Sequence, residues 1–243
     1  MTLTRTPRPT WLTFDCYGTL IQWDEGVRAA VRQILAAKDG ISIDDARFLD
    51  VLDRHEHRLE QIKPHLSFRT VTTEGLNLAF AELGVQSDAG DARIVTDAIS
   101  AMPPFPEVVE TLRQLKQANF NLCIISNTDD DIIAGNVAQL GGLIDRVITA
   151  QQAQHYKPSP AIFEHAWRAL DVTKADIVHI CASPHLDHAA AREMGFRCIW
   201  IDRGTGRTPL PDYTPDQTLA TLDQVLPLFR QIGWIDATSH EPQ

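Results

Sequence analysis

Phe14-Asp15-Cys16-Tyr17-Gly18-Thr19-Leu20 is the stretch on which the fold of this chain turns. The β-rich run Thr10-Trp11-Leu12-Thr13 precedes it and reads as a buried strand. Gly18 breaks the pattern, and a helix-compatible segment begins at Asp24. Asp15 is therefore expected where a strand ends, its carboxylate leaving the carboxyl edge of a sheet, which is where open α/β sheets bind ligands. A carboxylate beside a glycine that permits a tight turn suits a nucleophile. On these seven residues alone it suits a capped strand-to-helix turn equally well.

Working outward, residues 22–103 carry helical periodicity and no convincing strand. Val27, Ala30, Val31, Ile34 and Leu35 recur at helical spacing. Ser42-Ile43-Asp44-Asp45 reads as a cap before a helix with Phe48, Leu49 and Leu52 on one side. A third helix holds Leu76, Ala79, Phe80 and Leu83, and a fourth runs from Asp91 to Ala101 before Pro103-Pro104. After Pro106, apolar strands alternate with helices. Strands are expected at residues 121–125, 146–149, 177–181 and 197–201, and a final amphipathic helix carries Leu219, Leu222, Val225, Leu226 and Phe229. This alternation predicts an α/β fold, a Rossmann-like parallel sheet with both faces covered. Residues 10–21 and 104–232 are expected to form the core, residues 22–103 an inserted all-helical cap, and residues 1–9 and 233–243 flexible tails.

Composition bounds the function. A 243-residue chain that is 44% hydrophobic can bury a sizeable core. Its net charge of -10 disfavours nucleic acid as a partner, which requires a basic face. It does not exclude a small anion beside a local Lys or Arg. Cys16, Cys123, Cys181 and Cys198 match no zinc spacing, so buried free thiols in a reducing compartment are expected. Strand alternation turns Cys16 away from Asp15. The N-terminal residues lack the apolar core of a signal peptide, and no run is long enough to span a membrane, so the expected location is the cytoplasm.

In a parallel sheet the residues just past each strand converge on one edge. Those positions hold Asp15, then Ser126-Asn127, then Tyr156-Lys157-Pro158, then Ser183-Pro184-His185-Leu186-Asp187. With these four motifs the chain resembles the haloacid dehalogenase superfamily, and within it the L-2-haloacid dehalogenases of type II. The likeness spans about Trp11 to Phe229 and includes Ala190-Ala191-Arg192-Glu193-Met194-Gly195-Phe196 after Asp187.

The resemblance implies a hydrolase without cofactor or metal that converts short 2-haloalkanoic acids to 2-hydroxy acids through an ester on Asp15. Lys157 would hold Asp15 ionised, Ser126, Asn127 and Thr19 would donate to the carboxylates, and Asp187 would position Lys157 and help activate water. Arg54, or Arg58 one turn on, would cradle the halide. Tyr17 and Phe68 would form the apolar wall, and His185, with His188 beyond it, could carry protons. The partners implied are a small anionic 2-haloacid and water, with no nucleic acid and no membrane, and the resemblance suggests a homodimer. Phosphatases of the superfamily carry a second Asp where this chain has Tyr17, and further acidic ligands where it has Ser183. Ala182 and Pro184 replace the Ser and Asn of better-known dehalogenases, and Leu186 and Phe163 replace a Trp and a Tyr. Alternatives are the same Asp15 displacement on another leaving group beside a carboxylate, a phosphatase, or a non-catalytic anion binder.

Overall fold

The computed structural model describes residues 7–38 and 43–236. Six parallel strands form one sheet in the order β3-β2-β1-β4-β5-β6. They are β1 (Trp11–Phe14), β2 (Asn121–Ser126), β3 (Arg146–Thr149), β4 (Ile177–Cys181), β5 (Cys198–Ile201) and β6 (Gln217–Leu219). β1 lies between β2 and β4, with Phe14 in register with Ile124 and Ile180. Leu12, Phe14, Leu122, Ile124, Val178 and Ile180 have no exposed surface, as expected of strands covered on both faces. Strand order reverses beside β1, so Asp15 leaves the sheet at the topological switch point.

Between β1 and the rest of the sheet come α1 (Trp23–Ala36), α2 (Asp45–Glu60), α3 (Phe68–Leu83) and α4 (Asp91–Ala101). The expected cap at Ser42 lies outside the described residues. The later helices are α5 (Val108–Gln117), α6 (Asp130–Ala138), α7 (Ala150–Ala153), α8 (Pro160–Leu170), α9 (Ala189–Met194) and α10 (Val225–Gln231).

Two polar clamps seat the helical block on the sheet-bearing part. Asp129, just past β2, accepts from the backbone N–H groups of Phe68 and Arg69 at 2.9 Å each and so satisfies the first turn of α3. Asn136 on α6 donates through Nδ2 to the carbonyls of Ile99 at 2.8 Å and Met102 at 3.0 Å, which does the same for the end of α4. Gly135 completes the fit, since a β-carbon there would stand 2.4 Å from the Ser100 carbonyl oxygen.

Two boundaries differ from the sequence expectation. Leu219 ends an edge strand and does not open the last helix; the strand is three residues long with one apolar residue, too short for periodicity to register. The packed body also extends beyond residues 10 and 232. The Arg8 guanidinium lies 3.9 Å over the Phe120 ring and donates through Nε to the Trp234 carbonyl at 3.0 Å, and Trp234 and Ile235 are buried. Exposing that indole and aliphatic chain would cost more than ordering a few backbone residues.

Candidate active site

The turn after β1 is set by Gly18 at φ +80°, a conformation that strains any residue with a β-carbon. Arg203 pins it by donating to the carbonyls of Gly18 at 3.2 Å and Thr19 at 2.7 Å. Asp15, 6% exposed, is thereby held with both oxygens engaged. Thr19 Oγ1 donates to Oδ2 at 2.7 Å, and Lys157 Nζ donates to Oδ1 at 2.7 Å.

Lys157 is fully buried and bridges to Asp187 Oδ1 at 2.9 Å. Burial alone would lower the ammonium's pKa, but the two carboxylates reverse that and raise it, so the lysine stays charged. Burial likewise acts to raise the Asp187 pKa. The Lys157 charge and the His179 hydrogen bond outweigh it, taking the carboxyl from 3.8 down to about 2. Asp187 Oδ2 is buried and makes no hydrogen bond, which leaves one acceptor free beside the ammonium.

The site also contains a residue that the strand-end positions did not reveal. His179, inside β4, binds Asp187 Oδ1 through Nε2 at 3.0 Å and Thr13 Oγ1 through Nδ1 at 2.9 Å. A signal was present, because an imidazole within Ile177-Val178-His179-Ile180-Cys181 is costly unless it is hydrogen-bonded. Phe163 meets this ring edge-on at 5.5 Å, which accounts for an apolar residue at that position.

A cavity of about 270 Å³ opens over Asp15 and Lys157. Tyr17, Phe68, Ser126, Asn127 and His185 line it. Tyr17 packs on Trp23 at 4.9 Å between ring centroids and donates to Asn136 Oδ1 at 3.1 Å. The Ser126 hydroxyl is buried and has no partner.

Asn127 is placed differently from expectation. Its amide donates to the Lys157 carbonyl at 3.1 Å and accepts from the Lys157 N–H at 2.7 Å, so both ends hold the lysine's backbone and neither reaches a carboxylate. His185 faces His57 at 4.8 Å, while His188 is buried between Trp200 and Tyr213, outside the cavity lining.

The halide-cradle expectation is corrected. Arg54 lies on the flank of α2 facing α3, paired with Glu82 at 3.0 and 3.2 Å, and neither it nor Arg58 lines the cavity. The stripe of α2 that does line it is Asp53, Glu56, His57 and Glu60, spaced for one helical face. The arginine present in the cavity is Arg207, from the loop after β5, which donates to Asp24 at 3.1 Å.

A divalent cation between Asp15 and Asp187, as magnesium-dependent members of this fold use, does not fit these residues. The Lys157 ammonium occupies the bridge, Thr19 takes the second Asp15 oxygen, and Tyr17 stands where a further acid would be needed. Among the described residues, two buried donor groups have ligand atoms within 4.8 Å of one another: His179 with Cys181 and Asp187, and Cys181 with His188 and Cys198. None of these side chains lines the cavity.

A doubly wound parallel sheet with helices inserted after its first strand and a carboxylate-lysine-carboxylate bridge at the switch point defines an α/β protein of the Rossmann-like class with a helical insertion beside its site. A family model described as haloacid dehalogenase-like hydrolase matches residues 10–195, and the chain belongs to that family. It is 28% identical over 226 residues to haloacetate dehalogenase H-2 of Moraxella sp. (strain B), covering 90% of this chain and 96% of that one. It is 27% identical over 227 residues to an (S)-2-haloacid dehalogenase of Pseudomonas sp. (strain YL), covering 90% and 93%. An L-2-haloacid dehalogenase from Xanthobacter autotrophicus, solved with chloropropionic acid covalently bound, shares the fold with a TM-score of 0.76 at 20% identity, covering 91% and 98%. Among the described residues no helix is long and apolar enough to cross a membrane.

Proposed function

We propose that the protein hydrolyses 2-substituted alkanoic acids, 2-haloacids in the first instance, through an ester on Asp15. The observation that carries this reading is the Lys157 bridge, with Nζ 2.7 Å from Asp15 Oδ1 and 2.9 Å from Asp187 Oδ1. A permanently charged lysine keeps Asp15 an anion and offsets the repulsion between two anionic reactants. Tyr17 supports the same reading. A halide leaves without a proton, so no acid is required where phosphatases of the superfamily carry one. The curated relatives, a haloacetate and an (S)-2-haloacid dehalogenase, support the substrate class.

In the first step an Asp15 oxygen attacks C2 from the side opposite the halogen. The carbon–halogen bond breaks, halide leaves with the electron pair, and C2 inverts. Ser126 Oγ, buried and without a partner, donates to the substrate carboxylate, and Arg207 is the cation that meets the halide. In the second step water adds to the Asp15 carboxyl carbon, while Asp187 holds Lys157 against that carboxyl group. The ester C–O bond breaks, one water proton passes to the 2-oxygen and the other is released to solvent as Asp15 returns to a carboxylate, and the 2-hydroxy acid departs. Thr19 and Lys157 hold the carboxyl oxygens as charge develops on them. Residues 22–103 act as a cap over this chemistry.

Incubation with 2-chloropropionate in ¹⁸O-water over many turnovers should place label in Asp15, detected by peptide mass spectrometry, with one chloride released per hydroxy acid. Label found only in the product, with Asp15 unlabelled, would overturn the ester.

A further inference from the structure

We infer that the substrate carries, besides its carboxylate, a protonated amine that seats against Asp53, Glu56 and Glu60 of α2. This rests on the reading of the site as one that displaces a group beside a carboxylate. Five carboxylates line the cavity, Asp15, Asp24, Asp53, Glu56 and Glu60, against two permanent cations, Lys157 and Arg207. Both cations are already matched. Lys157 lies between Asp15 and Asp187, and Arg207 donates to Asp24. Among the described residues no lysine or arginine forms an ion pair with any of the three α2 acids, so this wall of the cavity is acidic without a bonded cation of its own.

The arrangement is built in. Asp53, Glu56 and Glu60 fall on one stripe of the helix by spacing of three and four. Gly75 on α3 leaves the room that Glu56 occupies, as a β-carbon there would stand 2.8 Å from Glu56 Cγ. Burial first, and the neighbouring Asp53 charge second, push the Glu56 carboxyl up to about 8, and burial with the Glu56 and Asp53 charges raises Glu60 well above 4.5. Acids set this close on one helical face work against one another's ionisation, which makes a poor surface for a ligand that is only an anion. It suits a cation, whose arrival lets the acids ionise.

The buried, partnerless Ser126 hydroxyl, on the sheet side of the cavity, independently calls for an acceptor such as a substrate carboxylate. A donor on the sheet side and acids on the helical side together fit a zwitterion, anion end inward and ammonium end toward α2.

Calorimetric titration of the wild-type protein at pH 7 with propionate, 3-aminopropionate and 4-aminobutyrate tests this directly, since none carries a leaving group. At least one amino acid should bind tenfold or more tightly than propionate, with proton release visible as a buffer-dependent heat. The preference should vanish in Glu56→Gln/Glu60→Gln. Propionate binding as tightly as both amino acids, no detectable binding of either amino acid, or a preference that survives the double substitution would overturn the inference. The underlying reading is decided separately, by ¹⁸O in Asp15 with 2-chloropropionate and with 3-amino-2-chloropropionate. Label without amine preference removes only the inference. An unlabelled Asp15 with both acids removes the displacement reading.

Discussion

Replacing Lys157 by Met removes the ammonium from between two carboxylates while roughly keeping the side chain's length. Nζ lies 2.7 Å from Asp15 Oδ1 and 2.9 Å from Asp187 Oδ1, with no exposure to water. Without it the two charges face each other across roughly 5 Å, and at an effective dielectric of about 20 their repulsion is about 3 kcal/mol. The thioether also leaves both oxygens without the charge-assisted bonds they had. Breaking a buried pair by deleting one partner costs about 3–5 kcal/mol, which sets the expected loss of unfolding free energy in urea at pH 8. The pH dependence carries the sharper test. In the wild type the Asp187 carboxyl is depressed to about 2, so its contribution is full above the ordinary value of 3.8 and is lost only as pH falls toward 2. In Lys157→Met the pair prefers to share a proton, so the cost is greatest at pH 8 and is relieved on acidification toward pH 5. Urea midpoints at pH 8, 6.5 and 5 should therefore rise for the variant relative to the wild type as pH drops. Turnover at pH 8 should fall about a thousandfold or more, consistent with losing a charged group at the reacting carboxylate. A variant with near-normal turnover, or one whose stability deficit is the same at all three pH values, would refute the assignment of Lys157 as the ion that holds the two carboxylates.

The sheet edge yields further tests. Asn127→Ala deletes both bonds to the Lys157 backbone; it should lower stability by about 1–3 kcal/mol and reduce kcat more than it changes KM, read from steady-state halide release. Arg54→Ala should leave turnover within about twofold, since an exposed ion pair contributes little, whereas Arg207→Ala should cut kcat/KM about tenfold or more, as loss of a charged contact does; the reverse order would restore the helical arginine as the halide ligand. Gly18→Ala imposes a β-carbon at φ +80° and places it 2.9 Å from Arg207 Nη2; thermal melts should show a loss of about 1–2 kcal/mol and halide release a defect like that of Arg207→Ala. His179→Leu removes one of the groups holding Asp187 down, so the acid limb of the kcat profile should move to higher pH; an unmoved limb would separate His179 from the chemistry.

Much of the fold was legible because the central strands are nearly pure aliphatic runs bounded by breakers, and burial on both faces demands that composition. β6 was not, since Gln217-Thr218-Leu219 sits at an edge and needs only one apolar residue. Asp15 directly follows β1, where topology fixes position within a residue, whereas Lys157 and Asp187 lie farther past β3 and β4, so topology assigns them to the right edge and their motifs supply the exact positions. Arg54 failed for a rotational reason. Successive helical residues point about 100° apart, so naming a functional helix leaves open which face meets the cavity, and the buried stripe Phe48, Val51 and Leu52 on α2 marks only the side packed inward. Asn127 failed at one more level: its position is at the strand end as expected, but its amide is consumed by the neighbouring backbone, which only side-chain geometry reveals.

If Arg207 rather than a helical arginine meets the halide, as proposed, the seat of selectivity changes. Arg207 comes from the loop after β5 and lies against the Gly18 turn, so the cation, the nucleophile and the bridging lysine all belong to the sheet-bearing part. Arg207 is nonetheless tied to the helical block, because it donates to Asp24 of α1 at 3.1 Å. What the helical block adds to the cavity is Trp23, Asp24, Asp53, Glu56, His57, Glu60 and Phe68, a wall that is aromatic and acidic. A wall of that kind carries no permanent cation to complement halide or carboxylate. Displacement chemistry is thus a property of the strand ends, while discrimination among 2-substituted acids falls to α2, where exchanging acids for amides alters which substrate is accepted without touching an atom that reacts.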